Sequence, residues 1–204
     1  ECYAYKIVKQ VLPSIDEKVL LFLPFPMIKD KSELKKSHDR IYEIIEENLE
    51  KEDVAFLTIG DPSIYSTYNY IQERVLKSGK RAEMISGIPS FCAVAARLGI
   101  PLASNKEEIR IIPGSYQLDQ WEEESSRAEE GTTSGKTCIY MKSGKRLKEL
   151  IGYLEKESQN KQMEIYGVSN CGLSDEKIYR SLAQIKEAEL ENMKKDLGSL
   201  AKHR

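Results

Sequence analysis

Leu57-Thr58-Ile59-Gly60-Asp61-Pro62-Ser63-Ile64-Tyr65-Ser66-Thr67 reads as a buried strand that runs into a Gly-Asp-Pro turn and then straight into a helix. The apolar run from Val54 to Ile59 is short enough for a strand and too short for a helix of ordinary length. Gly60 lets a ligand approach the backbone, and Pro62 fixes the turn without offering a donor. In open α/β sheets, ligands gather beyond the carboxyl ends of strands. Asp61 stands at such an end. Its carboxylate is placed either to meet a ligand's cation or hydroxyl, or to cap the helix predicted over 64–76.

The same alternation extends in both directions. Upstream, Ile7, Val8, Val11 and Leu12 have helical spacing and stop at Pro13. Val19 to Phe25 reads as a buried strand, and Ser32 as the cap of a helix reaching about Lys51. Downstream, strands are predicted over 81–86, 109–112, 137–141 and 163–168, with a further one over 178–182. Helices are predicted over 90–98, 118–130, 146–157 and 185–197. Strands alternating with helices argue for an α/β fold with mainly parallel sheets, because parallel neighbours need crossover helices. The join near residues 100–108 divides the pattern into two α/β lobes, expected at 1–104 and 105–204.

Bulk properties narrow the function. The 204 residues carry 31 basic and 33 acidic side chains, a net charge of −2, which gives no support for nucleic-acid binding. No stretch of 18 apolar residues suggests a membrane span. Cys2, Cys92, Cys138 and Cys171 form no C-x-x-C pair, so reduced thiols in a cytoplasmic protein are expected. With His38 and His203 as the two histidines, no metal site of zinc spacing is expected. The first residues match neither a signal nor a transit peptide. They also lack an initiator Met, so the chain is expected to begin inside a longer protein.

Two further strand ends carry polar or small residues. One is Ser86-Gly87-Ile88-Pro89-Ser90-Phe91-Cys92, followed by the small residues Ala93, Ala95 and Ala96. The other is Tyr140-Met141-Lys142-Ser143-Gly144-Lys145. Gly131-Thr132-Thr133-Ser134-Gly135-Lys136-Thr137 imitates a phosphate-binding loop, but it is one residue short and precedes a strand instead of following one.

In this order and spacing, the three strand-end motifs resemble the tetrapyrrole (corrin/porphyrin) methylase family. Leu23-Pro24-Phe25-Pro26-Met27 and Ala96-Arg97-Leu98-Gly99-Ile100-Pro101-Leu102 are similar to its branch acting on carbon 20 of precorrin-2 or cobalt-precorrin-2, in cobalamin biosynthesis. The resemblance spans about residues 1–182. It implies S-adenosylmethionine as methyl donor in a cleft between two α/β lobes, a reduced tetrapyrrole substrate, and a homodimer. Carried over by position, the cofactor set is Ile59, Gly60, Asp61, Ile64, Ser66, Thr67, Ser90, Phe91, Met141, Cys171 and Gly172. For Cys171, a packed inert thiol is the competing reading.

The family usually opens with a strand and a Gly-x-Gly-Pro-Gly-Asp-Pro loop, which this sequence does not show. A last family strand after about Leu182 is likewise not recognisable. The sequence is therefore expected to be either a piece of a longer chain or a truncated relative, and it names no catalytic base. A sibling methylase acting at another ring position and a non-catalytic cofactor-binding relative stay open. The substrate is a polycarboxylate, so Arg97, Arg110, Lys142, Lys145 and Arg146 are candidate recruiting cations, with plain surface solubility as the alternative for each.

Overall fold

A computed structural model of the chain describes residues 2–26, 28, 30–113, 135–160 and 162–201. They fall into two compact units, Glu1–Pro89 and Ser90–Arg204.

The first unit opens with α1 (Tyr3–Val11), which stops just before Pro13 as the sequence predicts. Pro13 then begins a short 3-10 turn, Pro13–Glu17. Proline tolerates a helix's first turn and cannot continue the previous one. α2 (Lys31–Leu49) is capped by Asp30, whose Oδ1 accepts the Glu33 N–H at 2.9 Å. The predicted cap, Ser32, lies inside the helix. Asp30 has the extended backbone that a cap needs, and its carboxylate also suits the positive end of the helix dipole.

α3 (Tyr68–Lys77) completes the helices of this unit. It packs on α2 through Ile41, Ile45, Ile71 and Val75, all buried, and Ile71 is the most enclosed. Leu23, Phe25, Val54, Phe56 and Ala82 pack against the same cluster. These five come from the three segments predicted as strands, 19–25, 54–59 and 81–86. Those segments carry no strand assignment in the structure. In 54–59 exposure alternates, with Val54 and Phe56 inward and Leu57 and Ile59 outward. The apolar run dictates which face is buried. A ladder depends on a neighbour's hydrogen-bonding register, which the run does not contain. Leu21, Leu57, Ile59 and Ile85 stay exposed on the outward side.

The second unit begins with α4 (Ser90–Leu98). Strands β1 (Glu108–Pro113) and β2 (Lys136–Met141) pair in parallel, from Glu108 opposite Lys136 to Pro113 opposite Met141. A 3-10 turn, Gly144–Arg146, leads into α5 (Leu147–Asn160). α5 buries Leu150, Tyr153 and Leu154 against Ile112, with Cys138, Tyr140, Ile165 and Leu182 around them. The connection that joins β1 to β2 lies outside the described residues.

β3 (Gly167–Ser169) and β4 (Lys177–Tyr179) are short and antiparallel, and α6 (Leu182–Ala201) follows. The strand predicted over 163–168 thus shrinks to its end, and the one over 178–182 moves back. Only seven residues separate Ser169 from Lys177, too few for a crossover, so the chain reverses as a hairpin. Helices, strands and a parallel pair agree with an α/β fold. The helix predicted over 118–130 and most of the phosphate-loop imitation lie outside the described residues.

Candidate functional site

The Gly60–Thr67 stretch does not enter a helix at Ile64, as its sequence suggests. α3 begins at Tyr68. Gly60 sits at φ 80°, a conformation that glycine takes at little cost, and Tyr65 is held at φ 48°. A bulky residue in that region costs about 1–3 kcal/mol, so its surroundings must enforce it. Two contacts brace the stretch. Ser66 Oγ lies 3.3 Å from Thr58 Oγ1, and it accepts the Tyr68 N–H at 3.2 Å. Thr67 occupies the cap position of α3 without a side-chain cap bond. The Ile64 N–H donates to the Asp61 carbonyl at 3.2 Å. Ile59 leaves 59% of its surface exposed beside Gly60.

Asp61 is buried and its carboxylate collects four donors. Oδ1 accepts the Ser63 N–H at 2.8 Å and the Ser63 hydroxyl. Oδ2 accepts the Ser86 hydroxyl at 2.7 Å and the Gly87 N–H at 2.9 Å. The hydroxyls of Ser63 and Ser86, with the two N–H groups, hold this carboxyl far below the usual carboxylate range. A helix-capping role for Asp61 does not fit, since the helix starts at Tyr68.

The turn carrying Gly87 lies directly against Gly60. A Cβ built on Gly87 would overlap the Gly60 carbonyl oxygen and stand 3.1 Å from its carbonyl carbon. Sequence reading placed Ser86 at the end of a strand and Gly87 in the turn after it, but assigned neither to the site. The available signal was a Ser-Gly pair straight after an apolar run, repeating the position of Gly60-Asp61.

The remaining site residues belong to the second unit. Ser90 opens α4 and Phe91 is half-buried beside it. Met141 is the last residue of β2, half-buried, and Lys142 after it is held at φ 58°. Cys171 and Gly172 lie in the loop between β3 and β4. Burial, and then the Glu176 carboxylate, push the Cys171 thiol up, so it stays protonated.

Glu176 is a residue that sequence reading passed over. It accepts the Gly172 N–H at 2.7 Å through one oxygen and Arg97 Nε at 2.6 Å through the other. These two bonds hold its carboxyl below the usual range. A lone acid in a polar loop gives no sequence signal of that kind. Arg97, a candidate recruiting cation, is thus engaged with the loop after β3. Arg146 pairs with Glu149 at 3.4 Å. No group of three or more His, Cys, Asp or Glu side chains that could hold a metal occurs among the described residues. No helix there is long and apolar enough to cross a membrane.

Comparison with known proteins gives a consistent picture. The family described as Tetrapyrrole (Corrin/Porphyrin) Methylases matches residues 2–186. A protein of Methanocaldococcus jannaschii named probable cobalt-precorrin-2 C(20)-methyltransferase is 36% identical over 178 residues, covering 86% of this chain and 68% of that protein. The cobalt-precorrin-2 C(20)-methyltransferase of Salmonella typhimurium is 29% identical over 89 residues, 43% of this chain and 37% of that protein.

Proposed function

The chain belongs to the tetrapyrrole (corrin/porphyrin) methylases, and on that premise we propose that it transfers a methyl group from S-adenosylmethionine to carbon 20 of cobalt-precorrin-2. The observation that carries this reading is the similarity, along most of the chain, to the Methanocaldococcus jannaschii protein of that name. Both relatives are named for the cobalt form, which favours it over metal-free precorrin-2.

The residues fit such a cofactor. Ile59 offers exposed apolar surface next to the half-buried backbone of Gly60. That pairing suits a nucleoside that is flat on one side and hydrogen-bonding at its edge. Ile64, Ser66 and Thr67 complete the set in the first unit. Ser90, Phe91, Met141, Cys171 and Gly172 supply the second, with Cys171 contributing its backbone while its thiol stays protonated.

S-adenosylmethionine supplies a methyl group already activated by its sulfonium. The protein's task is to hold that group in line with an electron-rich ring carbon. Well-oriented reactants gain up to ~7–11 kcal/mol from positioning alone. Positioning calls for a fixed backbone beside the cofactor, and the contacts of Ser66 with Thr58 and Tyr68 support that role for this stretch. Arg97, Arg110, Lys142, Lys145 and Arg146 are the cations to test for recruiting the ring's carboxylates.

We further propose a cytoplasmic homodimer. The four free cysteines agree with a reducing compartment, and the dimer rests on family membership. Sedimentation at micromolar concentration should show a dimer; a monomer alone would remove that part of the reading. The reaction itself is tested by incubating the protein with S-adenosylmethionine and either ring form, then weighing the product. A cobalt-ring product heavier by one methyl supports the proposal, and unmodified rings of both kinds would defeat it.

A further inference from the structure

We propose that Asp61 is a positioning residue: its carboxylate clasps the Gly60–Ser63 turn to Ser86 and Gly87, and so holds the Gly60 backbone in the orientation that the cofactor meets. This rests on the cofactor reading above and goes beyond it. A carboxylate has about four lone-pair directions. Four donors of the chain itself occupy them, two on each oxygen. No acceptor position is left for a ligand's hydroxyl or amine. The geometry therefore separates Asp61 from the residues that touch the cofactor, although it stands among them in the sequence.

The clasp joins segments 25 and 26 residues apart in sequence. Both its ends are turns that leave apolar extended segments. Gly87 makes the join close, because its missing side chain lets the Gly60 carbonyl lie against its Cα. The Asp61 partners are two hydroxyls and two backbone N–H groups, so the clasp needs no cation. Its strength comes from hydrogen bonds to an ionised acceptor, which are shorter and stronger than neutral ones. Asparagine cannot replace it. Its amide nitrogen would face two donors where an oxygen now accepts.

The test compares wild type with Asp61→Asn, Ser86→Ala and the double variant in the intact protein. Amide hydrogen exchange at Gly87 and Ser63 reads the clasp without any ligand. Titration calorimetry with S-adenosylmethionine and with S-adenosylhomocysteine, which lacks the sulfonium charge, reads its consequence. The expected result is faster exchange at Gly87 in Asp61→Asn, with both ligands weakened by the same factor, on the order of 10- to 100-fold. Asp61→Asn and Ser86→Ala should be non-additive, as partners in one network are.

Two outcomes overturn the proposal while leaving the cofactor reading in place. Loss of S-adenosylmethionine affinity with S-adenosylhomocysteine unchanged would mean that the charge acts on the sulfonium directly. Unchanged exchange at Gly87 would mean that the clasp does not hold. If wild type bound neither ligand while Gly87 exchange still rose in Asp61→Asn, the cofactor reading would fail and the positioning role with it. That pattern is distinct from the other two.

Discussion

In the first unit Asp61 holds the amide of Gly87, and in the second Glu176 holds the amide of Gly172. Each carboxylate fixes a glycine in a loop where sequence reading expects ligands. They differ in surroundings. Asp61 is 8% exposed and its partners are neutral donors. Glu176 shares its charge with Arg97, whose side chain is 61% exposed. Asp61 is held by neutral donors alone and Glu176 partly by an ion pair with an exposed cation, so salt weakens the second arrangement more than the first. A loop held by neutral donors depends little on ionic strength. A loop held through an exposed ion pair is adjustable.

The sharpest way to break this contrast is Gly87→Ala. The new methyl group collides with main-chain atoms of Gly60, which no side-chain rotation relieves. Overpacking of this kind costs about 1–3 kcal/mol of stability. S-adenosylhomocysteine affinity should fall on the order of 100-fold, since small displacements at a reacting site have effects of that size. Calorimetry and a thermal melt measure both. Near-normal binding would show that the two turns are free to part.

Asp61→Asn comes next, and acid makes it quantitative. The folded-state pKa of Asp61 is depressed, so its contribution is complete above the ordinary carboxyl value of about 3.9. It is lost as pH falls below that value towards the depressed one. Wild type should therefore lose its stability margin over Asp61→Asn as pH drops from about 5 to 2. Denaturant midpoints across that range measure the convergence. A margin constant with pH would contradict the assignment.

His38 supplies a separate limb in the same unit. It is 4% exposed, stacked on Tyr70 with ring centroids 4.6 Å apart, and packed against Phe25. Burial, and then the Arg74 guanidinium, lower its pKa; Asp39, which pairs with Arg74 at 2.6 Å, opposes them weakly. The neutral ring is the folded form. Stability is complete above the ordinary value of about 6.5 and declines as pH falls from there towards the lowered value. His38→Phe, which keeps the stacking, should flatten the melting temperature between pH 7.5 and 5.5. An unchanged slope would assign that limb to another group.

Arg97→Ala should have the smallest effect. An exposed ion pair contributes little, so the melting temperature should shift by about 1–2 °C or less, and that difference should vanish at 1 M salt. A large, salt-resistant loss would show that the second loop is fixed as firmly as the first.

Much of this was legible in the residues, for identifiable reasons. Pro13 ends α1 because proline chemistry is local. Ile41 and Ile45 stand four residues apart on α2, and Ile71 and Val75 four apart on α3, so each pair shares one helix face in the core. The start of α3 was not legible, because Tyr65 at φ 48° and the Ser66 bond to Tyr68 depend on contacts with Thr58. The apolar runs over 19–25, 54–59 and 81–86 read as strands, and the structure gives them no strand assignment, because a run does not contain its neighbour's register. At the site, Gly60 and Asp61 stand out as a motif. Their partners Ser86 and Gly87 are two dozen residues away, and only the fold brings them together.

The central claim is methyl transfer to one ring carbon, and carbon-13 NMR tests it most directly. Cobalt-precorrin-2 incubated with the protein and S-adenosylmethionine labelled in its methyl group should yield a product with one new labelled methyl, attached at carbon 20. A labelled methyl at any other ring carbon, or none above the enzyme-free control, would contradict the account.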